Sequence, residues 1–78
     1  MNNSISLELA AKFGLPAIED YPFTELDWYT TFLIQSDYVA NKIAEAMFLG
    51  EEPDEDYTDV IQARKVARAK VNELRGQL

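Results

Sequence analysis

Apolar residues recur every three or four positions along most of this chain, the period of helices rather than the two-residue period of strands. Ile5, Leu9 and Phe13 stand four apart, Ser4 is placed to cap their first turn, and Gly14 before Leu15-Pro16 is a stop signal. A short first helix over residues 4–13 is expected. The segment "LPAIEDYPF" should run extended, because Pro16 and Pro22 each keep the preceding residue out of the α region. Thr24 opens "TELD", a capping-box-like start with Asp27 in place of the usual glutamate. From there the pattern continues to Leu49 and halts at Gly50, which predicts one helix of about 25 residues, roughly 37 Å long. "GEEPDED" is a turn broken at Pro53, with Asp54 or Asp56 capping a third helix over residues 55–75.

The long helix carries more apolar residues than one face can hold. A wide arc takes Leu26, Trp28, Tyr29, Phe32, Leu33, Val39, Ala40, Ile43, Ala46 and Met47, with Ser36 in its middle, where a small side chain permits close approach. The third helix has a comparable arc through Tyr57, Val60, Ile61, Ala63, Ala67, Val71 and Leu74. Joined by a short turn, the two form an antiparallel helical hairpin. The expected fold is all-α and a single domain over residues 1–78. Residues 24–75 make the hairpin, and residues 1–23 make a short N-terminal helix and linker.

Placing Met47 opposite Tyr57 sets a register in which Leu33 faces Val71, Asp37 faces Arg68, and Ala40 or Asn41 faces Arg64. Arg64 lies near the centre of the third helix's apolar arc and Arg68 at its edge. A half-buried guanidinium needs an anionic or carbonyl partner. Asp37 is the expected partner of Arg68, leaving Arg64 to reach Asp37 as well or the side-chain oxygen of Asn41. Such a pair fixes register more than it adds stability. The functional alternative is that Arg64 and Arg68 together hold an anion.

On the other side of the long helix, Ile34, Tyr38 and Phe48 fall among Asp27, Thr30, Asn41 and Glu45. An apolar patch rimmed by acids suits a protein–protein contact, so Ile34, Tyr38, Asn41 and Phe48 are the candidate interaction surface. The other reading is that the first helix folds back through Ile5, Leu9 and Phe13 and covers the patch; a symmetric copy could supply the same cover.

Composition narrows the chemistry. The chain has 78 residues with no cysteine and no histidine, so the disulfide framework and the usual soft metal ligands, bases and thiol nucleophiles are missing. Ser4, Ser6 and Ser36 have no base beside them in sequence. The acidic run "EEPDEDYTD" fails as a calcium loop: counting Asp54 as the first position, the required glycine is Asp59 and the closing glutamate is Lys65. There is no glycine-rich phosphate loop. The expectation is a protein that is not an enzyme and holds no cofactor and no metal.

The net charge of −7 is unevenly spread. Residues 1–62 hold thirteen acids against Lys12 and Lys42, a net of −11, whereas residues 63–78 hold Glu73 against five cations, a net of +4. That balance argues against nucleic acid as a partner, and the late cations complement the dipole of the last helix. "MNNSISLELAAKFGLP" has no cationic leader, and no apolar run reaches the roughly 18 residues that span a bilayer. A soluble, intracellular protein with no membrane partner is expected.

Two stretches carry a resemblance. "LDWYTTFLIQSDYVANKIAEA" and "YTDVIQARKVARAKVNELR", across an acidic turn, resemble a helical hairpin of small phage and prophage proteins and of the ends of some tail-fibre-associated proteins. The matching positions are Asp37, Tyr38, Lys42, Arg64, Arg68, Asn72, Glu73 and Leu74, within residues 26–75. The resemblance implies a tail- or assembly-associated module, cytoplasmic or virion-associated, that binds itself or another phage or host protein as a homo-oligomer. The competing expectation is an acidic host-directed inhibitor that occupies a basic or nucleic-acid-binding site on a host protein.

Overall fold

The structure, a computed structural model, describes residues 5–77. Among them every regular element is helical: α1 (Leu7–Lys12), α2 (Glu25–Gln35), α3 (Asp37–Phe48) and α4 (Thr58–Arg75). Ser6 rather than Ser4 caps α1, its hydroxyl accepting the Leu9 N–H at 3.1 Å, and Ser4 lies outside the described residues. The linker is less extended than expected, since residues Ile18–Asp20 form a 3-10 turn. Proline restricts only its own predecessor, here Leu15 and Tyr21, and leaves the residues between them free to turn. The third expected helix starts at Thr58 rather than residue 55, because Asp56 takes the Thr58 N–H and hydroxyl and holds the chain in a turn.

Both glycine stops close in the same way. At α1, Gly14 N–H donates to the Ala11 carbonyl and Leu15 N–H to the Ala10 carbonyl; at α3, Gly50 N–H donates to Met47 and Glu51 N–H to Ala46. This is the Schellman arrangement, and it needs the positive φ found at Gly14 (77°) and Gly50 (72°). At α1 the residue after the glycine is buried Leu15, which seals the end apolar against the core. At α3 it is exposed Glu51, and that end stays open.

The hairpin is made by α2 and α4, which form the principal helix pair. Trp28, Tyr29 and Phe32 face Val60, Ala63, Ala67 and Val71 in one core, and α1 closes it with Leu9, Ala10 and Phe13. The Phe13 ring meets Phe32 edge-on at 5.4 Å, while Trp28 stacks on Phe32 at 6.1 Å. Trp28 Nε1 donates to the Pro16 carbonyl at 2.9 Å and so ties the linker to α2.

The expected unbroken helix over residues 24–49 is not formed. Thr24 caps it as anticipated, accepting the Asp27 N–H at 3.1 Å, though the Asp27 carboxylate turns to the Tyr21 hydroxyl at 3.0 Å. At Ser36 the helix breaks, and α3 leaves in a new direction and leans away from α4. Met47 and Ile61, expected in the hairpin arcs, are therefore exposed.

Candidate interaction surface

The break at Ser36 decides what the outer surface looks like. Arg64, 9% exposed, reaches from α4 into the end of α2. Its Nη1 donates to the Leu33 carbonyl at 2.8 Å and to the Ser36 hydroxyl at 2.7 Å, and its Nη2 donates to Asp37 Oδ1 at 3.1 Å. The fully buried Ser36 hydroxyl donates in turn to the Phe32 carbonyl at 2.7 Å. In an unbroken helix the Leu33 carbonyl would accept the Asp37 N–H four residues on. The guanidinium takes that carbonyl, so the ladder ends and the helix bends, as it does wherever a side chain inserts into the ladder.

The expected pairing is thereby corrected. Asp37 pairs with Arg64, its alternative partner, and not with Arg68, and the Leu33 carbonyl accepts from Arg64. Arg68 is exposed on α4, and Asn41 is exposed on α3 rather than reaching Arg64. Arg64 is committed to Leu33, Ser36 and Asp37, whereas Arg68, one turn on, is exposed. The change of partner follows from the break, because the facing positions were counted along a straight helix.

Ile34, in the last turn of α2, and Tyr38, in the first turn of α3, stand 68% and 54% exposed. Helix α1 does not cover them. It spends Leu9, Ala10 and Phe13 on the core, and the Phe13 ring approaches Tyr38 at a tilt, with ring centres 6.2 Å apart. Phe48 is 89% exposed but does not join that patch. Ten residues of helix separate it from Tyr38, about 15 Å along the axis. It belongs to a second patch with Met47 and Leu49, at the tip of α3. Three consecutive exposed apolar residues are unusual outside contact surfaces. The sequence pattern concealed Met47 by assigning it to the hairpin, although the run "MFL" before Gly50 was itself the signal.

Between that tip and the start of α4 the leaning of α3 opens a groove of about 690 Å³. Ile43, Pro53, Tyr57 and Ile61 form its apolar lining, and Glu52, Asp54, Glu55 and Asp56 its acidic edge. Lys42 Nζ lies 3.5 Å from Asp54 Oδ2, and Tyr57 donates its hydroxyl to Asp54 Oδ1 at 3.0 Å. The Tyr57 hydroxyl, ahead of the Lys42 ammonium, holds the Asp54 carboxyl below its ordinary range. The Thr58 hydroxyl and then its N–H do the same for Asp56. Lys42 is pushed up, chiefly by Asp54, and Tyr57 is pushed up by burial and then by Asp54.

Among the described residues no group of three carboxylates gathers into a metal set, and no helix is long and apolar enough to cross a membrane. Compared with protein-family models, with curated proteins and with solved structures, the chain matches none of them.

Proposed function

We propose that this chain is a non-enzymatic protein–protein interaction module, structural or assembly-related, of a phage or prophage, working through helix faces in the host cytoplasm or in a virion. The observation that carries the reading is the uncovered apolar surface on either side of the Ser36 break. Ile34 and Tyr38 stay exposed although the first helix lies close enough to touch Tyr38, and Phe48 stays exposed at the tip of α3. A 78-residue chain has few apolar side chains to spare from its own core, so leaving these outside fits a partner that covers them. The phage assignment rests on the resemblance of residues 26–75. The Ile34→Lys, Tyr38→Lys double variant should lower the mass of the self-assembled species with helicity intact. An unchanged mass in light scattering removes this surface from the reading.

The acidic edge of the groove favours a second reading, an inhibitor that occupies a basic site on a host protein. Salt separates the two. Acid-driven binding weakens sharply between about 50 and 200 mM salt, whereas association through Ile34 and Tyr38 changes little.

A further inference from the structure

We propose that a second copy of this chain docks across the face of α4 centred on Ile61, about a two-fold axis, so that Lys65 and Arg68 of each copy lie over the acidic groove of the other. This contact is separate from the Ile34–Tyr38 face.

Ile61, Lys65, Arg68, Asn72 and Arg75 are all exposed, and their spacing of four, three, four and three places them in one stripe along α4. The groove opens at the Ile61 end of that stripe. Charge along this side therefore runs in order: acids of the turn, apolar Ile61, then cations. Rotation by half a turn about Ile61 lays each end on its opposite, which is what a self-complementary two-fold contact requires. Lys65 and Arg68 lie four and seven residues beyond Ile61, about 6 and 10 Å along the helix; Glu55 and Asp56 precede α4 in the turn that lines the groove beside Ile61.

The groups needed are available. Arg64 turns inward to Asp37, and Lys70 pairs with Glu73 at 3.7 Å. Among the described residues, the ion pairs leave Lys65 and Arg68 on one side, and Glu52 and Glu55 on the other, without an oppositely charged partner. The monomer also leaves space to fill. Its radius of gyration is 13.5 Å, against about 11–12 Å for a compact chain of this length. A wedge opens where α3 leans from α4, floored by half-buried Ile43 and exposed Ile61. A chain of net charge −7 that keeps a basic stripe on its own surface offers the groove a cationic occupant.

Sedimentation equilibrium over roughly 10 μM to 1 mM, with helicity followed by circular dichroism, tests this. Wild type should dimerise reversibly, and its dissociation constant should rise several-fold between about 50 and 200 mM salt. In the Ile34→Lys, Tyr38→Lys background, which removes the other face, Lys65→Glu with Arg68→Glu should be monomeric, as should Glu52→Lys with Glu55→Lys. Mixing the two variants should restore a dimer, because each then meets the opposite charge at both contacts. Ile61→Cys, the sole thiol of that variant, should cross-link under mild oxidation at least tenfold faster than Glu8→Cys. The proposal is overturned by a wild type monomeric throughout, by charge-reversed variants that still dimerise, or by a mixture that stays monomeric, which would leave the groove to a foreign basic partner. Cross-linking of Ile61→Cys no faster than the control overturns it too, whatever the folding of the charge variants. Ile34→Lys with Tyr38→Lys should leave this dimer intact. If that variant alone dissolves it, the copies meet at the Ile34 face and the α4 contact falls.

Discussion

Arg64 donates from Nη1 to the Ser36 hydroxyl at 2.7 Å across 28 residues of sequence, and this contact sits at the bend of the molecule. Ser36 hands the hydrogen bond on to the Phe32 carbonyl, so one guanidinium terminates α2, orients α3 and ties both to α4. The positive charge is balanced at the rim by Asp37, whose side chain is 67% exposed, and otherwise by neutral oxygens. Arginine suits such a site because its planar fork serves several acceptors at fixed angles.

Truncating the guanidinium should therefore cost more than removing its anion. Arg64→Met strands the Leu33 carbonyl and the Ser36 hydroxyl and should lower stability by about 2–3 kcal/mol, with Ser36→Ala at about 1. At this chain length each kcal/mol moves the melting temperature by about 4–8 °C. Arg64 and Ser36 should couple by about 1 kcal/mol in a double-mutant cycle. Asp37→Ala should cost under about 1 kcal/mol because its carboxylate faces water, and Arg68→Ala should leave stability unchanged. Coupling of Asp37 to Arg68 instead would restore the straight-helix register.

Trp28 reports on the N-terminal arm. Its indole is buried and its Nε1 holds the Pro16 carbonyl, so its fluorescence should be that of a shielded indole, and deleting residues 1–14 should red-shift it. Trp28→Phe keeps the ring stack on Phe32 and loses the hydrogen bond. The expected cost is about 1 kcal/mol, with faster proteolysis within residues 15–23. Unchanged cleavage there would mean the arm is held by its apolar contacts alone.

Backbone geometry separates the glycines. A Cβ at Gly14 or Gly50 would meet no neighbour within 4 Å, so the cost of alanine is the positive φ alone, about 1 kcal/mol at each site. Gly76 has an ordinary helical φ of −66°, and alanine there should be close to neutral. Thermal melts of the three single variants would rank them directly.

The start of α4 should be acid-sensitive. Asp54 and Asp56 bind their protons more weakly in the fold than in the unfolded chain, where a carboxyl titrates near its ordinary value of 3.8. As pH falls through that value the unfolded chain takes up protons first, so the stabilisation from both carboxylates, complete above it, is lost on the way to their lower folded midpoints. Carboxyl titrations followed by NMR should show midpoints for Asp54 and Asp56 below the ordinary range. Asp54→Asn with Asp56→Asn should flatten the loss of α4 helicity between about pH 4 and pH 2. Midpoints at ordinary values would mean that the Tyr57 and Thr58 contacts do not persist in solution.

Much of this architecture can be read from local order in the chain. The all-α class, the Thr24 cap, the Gly14 and Gly50 stops, and the separation of acids from cations along residues 1–78 all follow from neighbours within one or two turns. Helical periodicity also placed Ile34 and Tyr38 outside the hairpin, and Ser36 inside it, correctly. These features depend on short-range hydrogen bonding and on the direction a side chain takes from its own helix, which the order of residues specifies.

The bend at Ser36, the Leu33 carbonyl and Ser36 hydroxyl as acceptors for Arg64, and the exposure of Met47 and Ile61 depended on tertiary structure; the Asp37–Arg64 pair itself was one of two alternatives open in the sequence. Nothing in "FLIQSDYV" interrupts a helix by itself: it contains neither proline nor glycine, and its apolar period runs through. The interruption comes from a guanidinium 31 residues downstream that competes for the Leu33 carbonyl once α4 has packed on α2. A long-range hydrogen bond overrides local helical preference there, and every position beyond the bend, including the α3 tip and the acidic groove, takes its place from that one choice.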